Sequence, residues 1–99
     1  MSESVRHIEI NGRVQGVGYR AWVASEADVR GLEGWVRNRR DGSVEAVFAG
    51  PAADVSAMVE ACRRGPSSAR VDAVRDDAAT ADMLKLRRHG ERFSVLATI

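Results

Sequence analysis

Hydrophobic spacing switches between two periods along this 99-residue chain, and the order of the switches limits its fold more than any other feature. From Val5 to Val14 the residues alternate, with Ile8 and Ile10 on one side and His7, Glu9 and Asn11 on the other, which predicts a half-buried strand. From about Tyr19 to Val29 the spacing turns helical: Trp22, Val23 and Ala27, with Leu32 beyond, fit one face, and Gly31 supplies the stop. Alternation returns over Gly34–Arg39 and again over Val44–Phe48, where Val44, Ala46 and Phe48 share a side. Asp41-Gly42 between them is a hairpin signal. After Gly50-Pro51, the residues Val55, Met58, Val59 and Cys62 fall at i, i+3, i+4 and i+7, an amphipathic helix that Gly65-Pro66 closes. Val71 and Val74 centre a further strand over Arg70–Asp76. Ala78–Met83 reads as a surface loop, and Phe93, Val95 and Ala97 alternate near the end.

The order strand, helix, strand, strand, helix, strand, strand predicts an α+β, ferredoxin-like sandwich formed by a single domain, residues 1–99. Its sheet is mostly antiparallel, of four to five strands, with two helices packed on one face. A right-handed helical crossover between the first two strands makes them parallel, so both end on the same edge of the sheet. With one strand slotted between them their axes lie ~10 Å apart, two strand spacings. The loop after the first strand and Asn38 at the end of the second thereby become neighbours.

That loop, Gly12-Arg13-Val14-Gln15-Gly16-Val17-Gly18-Tyr19-Arg20, leads from a strand into a helix. A helix start offers unpaired backbone N–H groups and the positive end of the helix dipole. Glycines at 16 and 18 let successive N–H groups converge on one point, a nest for an anion. Arg20 adds a permanent charge and a planar donor fork suited to phosphate oxygens. The glycine spacing alone fits a tight strand-to-helix turn with a surface arginine equally well. The loop is not a nucleotide P-loop, because no Gly-Lys-Ser/Thr follows and Lys85 is the only lysine. It also lacks the third glycine of the dinucleotide fingerprint. Fifteen basic against fourteen acidic residues leave a net charge of +1, so a bound anion must be held by local arrangement and not by the overall field.

Other chemistries find little support. Cys62 is the only cysteine, which rules out an internal disulfide or a cysteine metal cluster, and its place on the apolar helix face predicts a buried thiol. His7 is expected to face solvent or a sheet neighbour, and His89 to sit in a turn beside Gly90. Neither His-Glu-x-x-His nor Gly-x-Ser-x-Gly occurs. Arg37, Arg39 and Arg40 form a basic cluster whose plain reading is a solvated strand end and whose alternative is mild attraction of an anionic substrate. The start, Met1-Ser2-Glu3-Ser4, has no apolar run, and no stretch approaches the roughly 18 apolar residues of a membrane helix. The expectation is a cytoplasmic protein with no membrane partner.

Two strings in order are more specific than either alone. Gly12-Arg13-Val14-Gln15-Gly16-Val17-Gly18-Tyr19-Arg20 closely resembles the signature loop of acylphosphatases, and Gly34-Trp35-Val36-Arg37-Asn38 resembles their second signature, at the expected separation. Asp41-Gly42-Ser43-Val44-Glu45 and the second helix are similar to that family as well, and Tyr19 stands where phenylalanine is more usual. The resemblance implies that the backbone N–H groups of Gln15, Gly16, Val17, Gly18, Tyr19 and Arg20 cradle a phosphate. It implies further that Arg20 binds the phosphate charge and that Asn38 positions an attacking water. The implied enzyme hydrolyses a small-molecule acyl phosphate to carboxylate and phosphate, with no cofactor and no metal. Nothing in the sequence requires more than a monomer.

These residues suffice for such chemistry. An acyl phosphate is an activated anhydride with phosphate as a good leaving group, so neutralising charge on that group and holding a water in line are the main tasks. The Asn38 amide oxygen can accept from water while its NH₂ donates to substrate. It cannot act as a general base at neutral pH. Its contribution must be orientation and polarisation, a type of effect that supplies up to ~7–11 kcal/mol in favourable cases. Two rivals of other classes share the topology. A non-catalytic binding or regulatory module would hold phosphate without turnover, and the same type of loop occurs in acylphosphatase-like domains of larger carbamoyl-transferring maturation proteins. A chain ending at Ile99 that keeps both Arg20 and Asn38 is expected to be the free-standing enzyme. An RNA-binding module would need exposed rings on the sheet and a basic surface. Two tryptophans, one tyrosine, two phenylalanines and a near-zero net charge are a poor platform, Trp35 being the one ring that could lie on the open face. No nucleic-acid partner is expected.

Overall fold

A computed structural model describes residues 3–99. Met1 and Ser2, part of the segment read as lacking an apolar leader, lie outside the described residues. The chain runs β1 (Glu3–Arg13), α1 (Tyr19–Val29), β2 (Glu33–Asn38), β3 (Val44–Pro51), α2 (Ala52–Arg64), β4 (Arg70–Ala78) and β5 (Phe93–Val95). The five strands form one sheet in the order β4-β1-β3-β2-β5. All neighbouring pairs are antiparallel except β2 with β5, which is parallel over Gly34↔Phe93 to Val36↔Val95.

The topology meets the expectation that matters for function. β3 lies between β1 and β2 and pairs antiparallel with each, so β1 and β2 run in the same direction. Val44 faces Ile10 on one side and Asn38 on the other. Asn38 therefore ends β2 level with Ile10, a few residues before the glycine loop begins.

The core follows from the two periods. Ile8, Ile10, Val36, Val44, Ala46 and Phe48 point to the helix side and meet Tyr19, Val23 and Ala27 of α1 and Val55, Met58, Val59 and Cys62 of α2. Each large apolar side chain fully removed from water there contributes roughly 1.5–3 kcal/mol before conformational entropy is set against it. Helix α1 stops as predicted, with the Leu32 N–H returning to the Ala27 carbonyl at 3.0 Å. Helix α2 follows Pro51 and is complemented by Asp54 in its first turn and Arg63 and Arg64 in its last.

Every residue from Val44 to Ala49 is buried, although alternation predicts one covered side. The reason is a cover on the second face. Ala81–Leu86, which follows a strand ending at Ala78, forms a short 3₁₀ helix, where the sequence predicts a plain surface loop over Ala78–Met83. The Met83 carbonyl accepts the Trp35 indole N–H at 2.7 Å. Trp35 is fully buried and presents no open ring for stacking a base. Beside it, His7 is indeed bound to a sheet neighbour, its Nε2 lying 2.6 Å from Glu45 Oε2.

Among the described residues no helix is long and apolar enough to cross a membrane. The last strand is shorter than the alternation implies. β5 ends at Val95, and Ala97 lies beyond it. The chain nevertheless continues alongside β2: the Leu96 N–H donates to the Val36 carbonyl at 2.9 Å, and the Ile99 N–H donates to the Asn38 carbonyl at 3.1 Å.

Candidate active site

β1 ends at Arg13, and buried Val14 anchors the chain as it leaves the sheet. Gly16 and Gly18 then adopt φ of 74° and 79°, left-handed values that favour glycine. A Cβ at either position would touch nothing within 4 Å, so glycine is demanded by the backbone and not by lack of space. Among the described residues, the N–H groups of Gln15, Gly16, Val17 and Gly18 donate to no backbone carbonyl. Gly18 is the N-cap of α1 and supplies no side-chain cap, which leaves the amides of the first helical turn without a capping acceptor.

The loop is fastened from three directions. The Gln15 side chain reaches across to the β2–β3 turn, where its Nε2 donates to the carbonyls of Arg39 at 2.7 Å and Ser43 at 2.8 Å. That turn is held by Asp41, whose Oδ1 accepts from the Ser43 hydroxyl at 2.6 Å and the Ser43 N–H at 2.9 Å. These bonds, the hydroxyl first, keep the Asp41 carboxyl below its ordinary pKa. The Ser68 hydroxyl donates to the Val17 carbonyl at 3.0 Å. The Tyr19 hydroxyl donates to the Cys62 carbonyl at 2.8 Å, capping an otherwise free acceptor in the last turn of α2. Burial raises the Tyr19 phenol above its ordinary range and pushes the Cys62 thiol up to about 12, so both groups are neutral and structural.

Arg20 and Asn38 meet in an open cleft of about 390 Å³. One wall is the loop and helix start, with Gly16, Gly18, Tyr19 and Arg20. The other is the C-terminal segment, with Arg88, Val95, Leu96 and Ala97. Arg20 is half-buried and donates from Nη1 to the Leu96 carbonyl at 3.2 Å. Among the described residues it pairs with no carboxylate, and no acidic residue lines the cleft. Asn38 Oδ1 is buried and has no hydrogen-bond partner in the chain. An acceptor withdrawn from water without a partner costs roughly 1–3 kcal/mol, so its persistence in a cleft needs a reason.

Of the residues singled out from sequence, Gly16, Gly18, Tyr19, Arg20 and Asn38 come together around this cleft, whereas Gln15 and Val17 do not line it. The Gln15 side chain serves the loop from behind. Sequence reasoning missed Arg88 and the Leu96 carbonyl, both on the segment after Asp77. Of the basic cluster, Arg37 pairs with Glu45 at 2.7 Å and Arg39 with Glu9 at 2.7 Å, so these two charges are spent within the sheet, and Arg37 is largely buried and not the solvated strand end of the plain reading. Among the described residues, no three His, Cys, Asp or Glu side chains gather as a metal site would require.

A family model for acylphosphatase matches residues 6–93. A curated acylphosphatase of Rhodopseudomonas palustris is 62% identical over 99 residues, covering the whole of both chains. Among solved structures, the acylphosphatase of Bacillus subtilis superposes with a TM-score of 0.80 at 36% identity, over 96% of this chain and 99% of that one. The acylphosphatase of Coxiella burnetii superposes with a TM-score of 0.82 at 30% identity, over 95% and 93%. With the glycine loop, the arginine and the asparagine gathered at one sheet edge, these likenesses agree on one conclusion: the chain belongs to the acylphosphatase family.

Proposed function

We propose that this hydrolase of acyl phosphates binds the phosphoryl group of its substrate between Arg20 and the amides of Gln15, Gly16, Val17, Gly18, Tyr19 and Arg20, with Asn38 directing a water molecule at it. The observation that carries the reading is that residues with unused polar groups meet around one cleft: Gly16 and Gly18 with unbonded amides and Arg20 for the anion, and Asn38, whose buried Oδ1 has no partner, for the water. Backbone dipoles fixed before substrate arrives cost no reorganisation as charge develops on the phosphoryl oxygens. Water attacks phosphorus opposite the acyl oxygen and a P–O bond forms as the P–O bond to the acyl group breaks, so the group that leaves is the carboxylate and not, as the anhydride alone suggests, the phosphate. The water proton passes to phosphate or solvent, because Asn38 cannot accept it.

Residues 1–99 act as a single acylphosphatase-like domain, as a monomer in the cytoplasm, with a small acyl phosphate as partner and no metal ion. A leaving group as good as a carboxylate makes Lewis-acid help unnecessary. The deciding assay is hydrolysis of benzoyl phosphate by the parent protein, Arg20→Ala and Asn38→Ala, each with and without chelator. The expected outcome is parent turnover indifferent to chelator and severe loss in both variants. Phosphate binding should weaken in Arg20→Ala and persist in Asn38→Ala. Phosphate binding by the parent without turnover would replace the enzyme with a binding module.

A further inference from the structure

Two adjacent arginines follow the 3₁₀ helix, and the structure uses them differently. Arg87 is locked into the fold: it reaches Glu33 at 2.9 Å and the carbonyls of Leu84 and Arg92 at 3.1 and 3.2 Å. Arg88 turns to the cleft, with its side chain 57% exposed and only a long approach of 3.9 Å to Glu91. Its backbone is fixed from behind. The Arg88 N–H donates to the hydroxyl of Ser94 at 3.0 Å, and that fully buried hydroxyl donates to Glu91 Oε1 at 2.6 Å. Ser94 lies on β5, paired with the strand that carries Asn38. The cleft is thus lined by a second cation besides Arg20, anchored at its backbone and held at its tip only by the 3.9 Å approach to Glu91.

The loop and Arg20 already supply what a phosphoryl group needs, and Val95, Leu96 and Arg88 are among the lining residues left to meet an acyl group in the same cleft. We infer that Arg88 is a specificity-determining residue that favours acyl phosphates whose acyl part carries a second carboxylate, the monophosphates of dicarboxylic acids. This rests on the phosphate orientation proposed above. An uncharged acyl group gains nothing from Arg88, whereas a terminal carboxylate gains a charge-assisted contact. Because the guanidinium is solvated, the gain is modest and falls with ionic strength.

The test compares kcat/KM for succinyl phosphate and benzoyl phosphate in the parent, Arg88→Gln and Arg88→Glu. The expected ratio of the two substrates falls about three- to fivefold in Arg88→Gln, mainly through the KM of succinyl phosphate. It falls further in Arg88→Glu, and the parent's preference shrinks as salt rises. An equal loss on both substrates, a tenfold weaker inhibition by inorganic phosphate in Arg88→Gln, or a ratio that does not move would each overturn the inference. Benzoyl phosphate turnover by the parent reports the underlying reading separately. Its absence overturns both proposals, whereas turnover with an unchanged ratio overturns only this one.

Discussion

At the loop edge of the sheet, Arg20, Asn38 and the amides of Gln15 to Gly18 keep hydrogen-bonding capacity that the chain does not use. On the sheet face away from the helices, the same kinds of group consume theirs on one another. Glu45 accepts from Arg37 at 2.7 Å through one oxygen and lies 2.6 Å from His7 through the other, and Arg37 also sits 4.7 Å over the Trp35 ring. Both regions are partly withdrawn from solvent. The difference teaches how to tell stability from function: polar groups that hold a fold are satisfied within it, and those kept for a ligand are left short.

The sharpest way to break this contrast is to measure both properties on one variant. Asn38→Ala should lower kcat about 10²–10³-fold, the scale of removing one preorganised polar contact. Its unfolding free energy should be no lower than the parent's and can rise by about 1 kcal/mol, since the lost Oδ1 was buried without a partner. Chemical denaturation alongside the benzoyl phosphate assay checks this, and a large loss of stability would show Asn38 to be part of the scaffold. Glu45→Gln should behave in the opposite way. It strands Arg37 and His7 beside a neutral amide and should cost about 2 kcal/mol of stability, less than a fully buried pair because both partners keep some contact with water. A variant as stable as the parent would mean that the satisfied network is ornamental.

The same contrast explains what could be seen in the sequence. Strands β1, β2 and β3 and both helices were legible because their apolar residues repeat at a period that burial enforces. The meeting of the loop with Asn38 followed from the handedness of one crossover. The opposite wall of the cleft was not legible. Arg20 reaches a carbonyl 76 residues away, and a carbonyl carries no sequence signal at all. β5 has only three residues, too few for a period, and the indole N–H of Trp35 under Ala81–Leu86 meets another backbone carbonyl, that of Met83. Gln15 was placed in the cradle by its backbone, but its side chain does the fastening, a role that only the folded turn at Arg39 and Ser43 reveals.

Tyr19 sharpens the comparison from within the loop. Its ring is core, and its hydroxyl caps the Cys62 carbonyl. Tyr19→Phe should therefore cost about 1 kcal/mol, near the net worth of one hydrogen bond, and lower Tm by roughly 4–8 °C in a domain of this size. An unchanged Tm would show that another donor satisfies the end of α2.

The smallest expected effect lies in pH. Burial pushes the Glu45 carboxyl up, but hydrogen bonds from His7 and Arg37, together with their charges, outweigh it and hold the group below its ordinary value near 4.5. A carboxyl whose folded pKa is depressed binds fewer protons folded than unfolded, so the unfolded state gains as pH falls. The stabilisation is complete above the ordinary value and is lost as pH drops through the lower folded one. Glu45→Gln has no such group to titrate. The stability difference between parent and variant should thus be constant near neutrality, from this carboxyl, and should narrow as pH falls from about 5 through the acid range. Urea unfolding of both proteins across that range measures it. Parallel curves would mean that Glu45 titrates alike in both states, and that its two partners contribute packing and not charge.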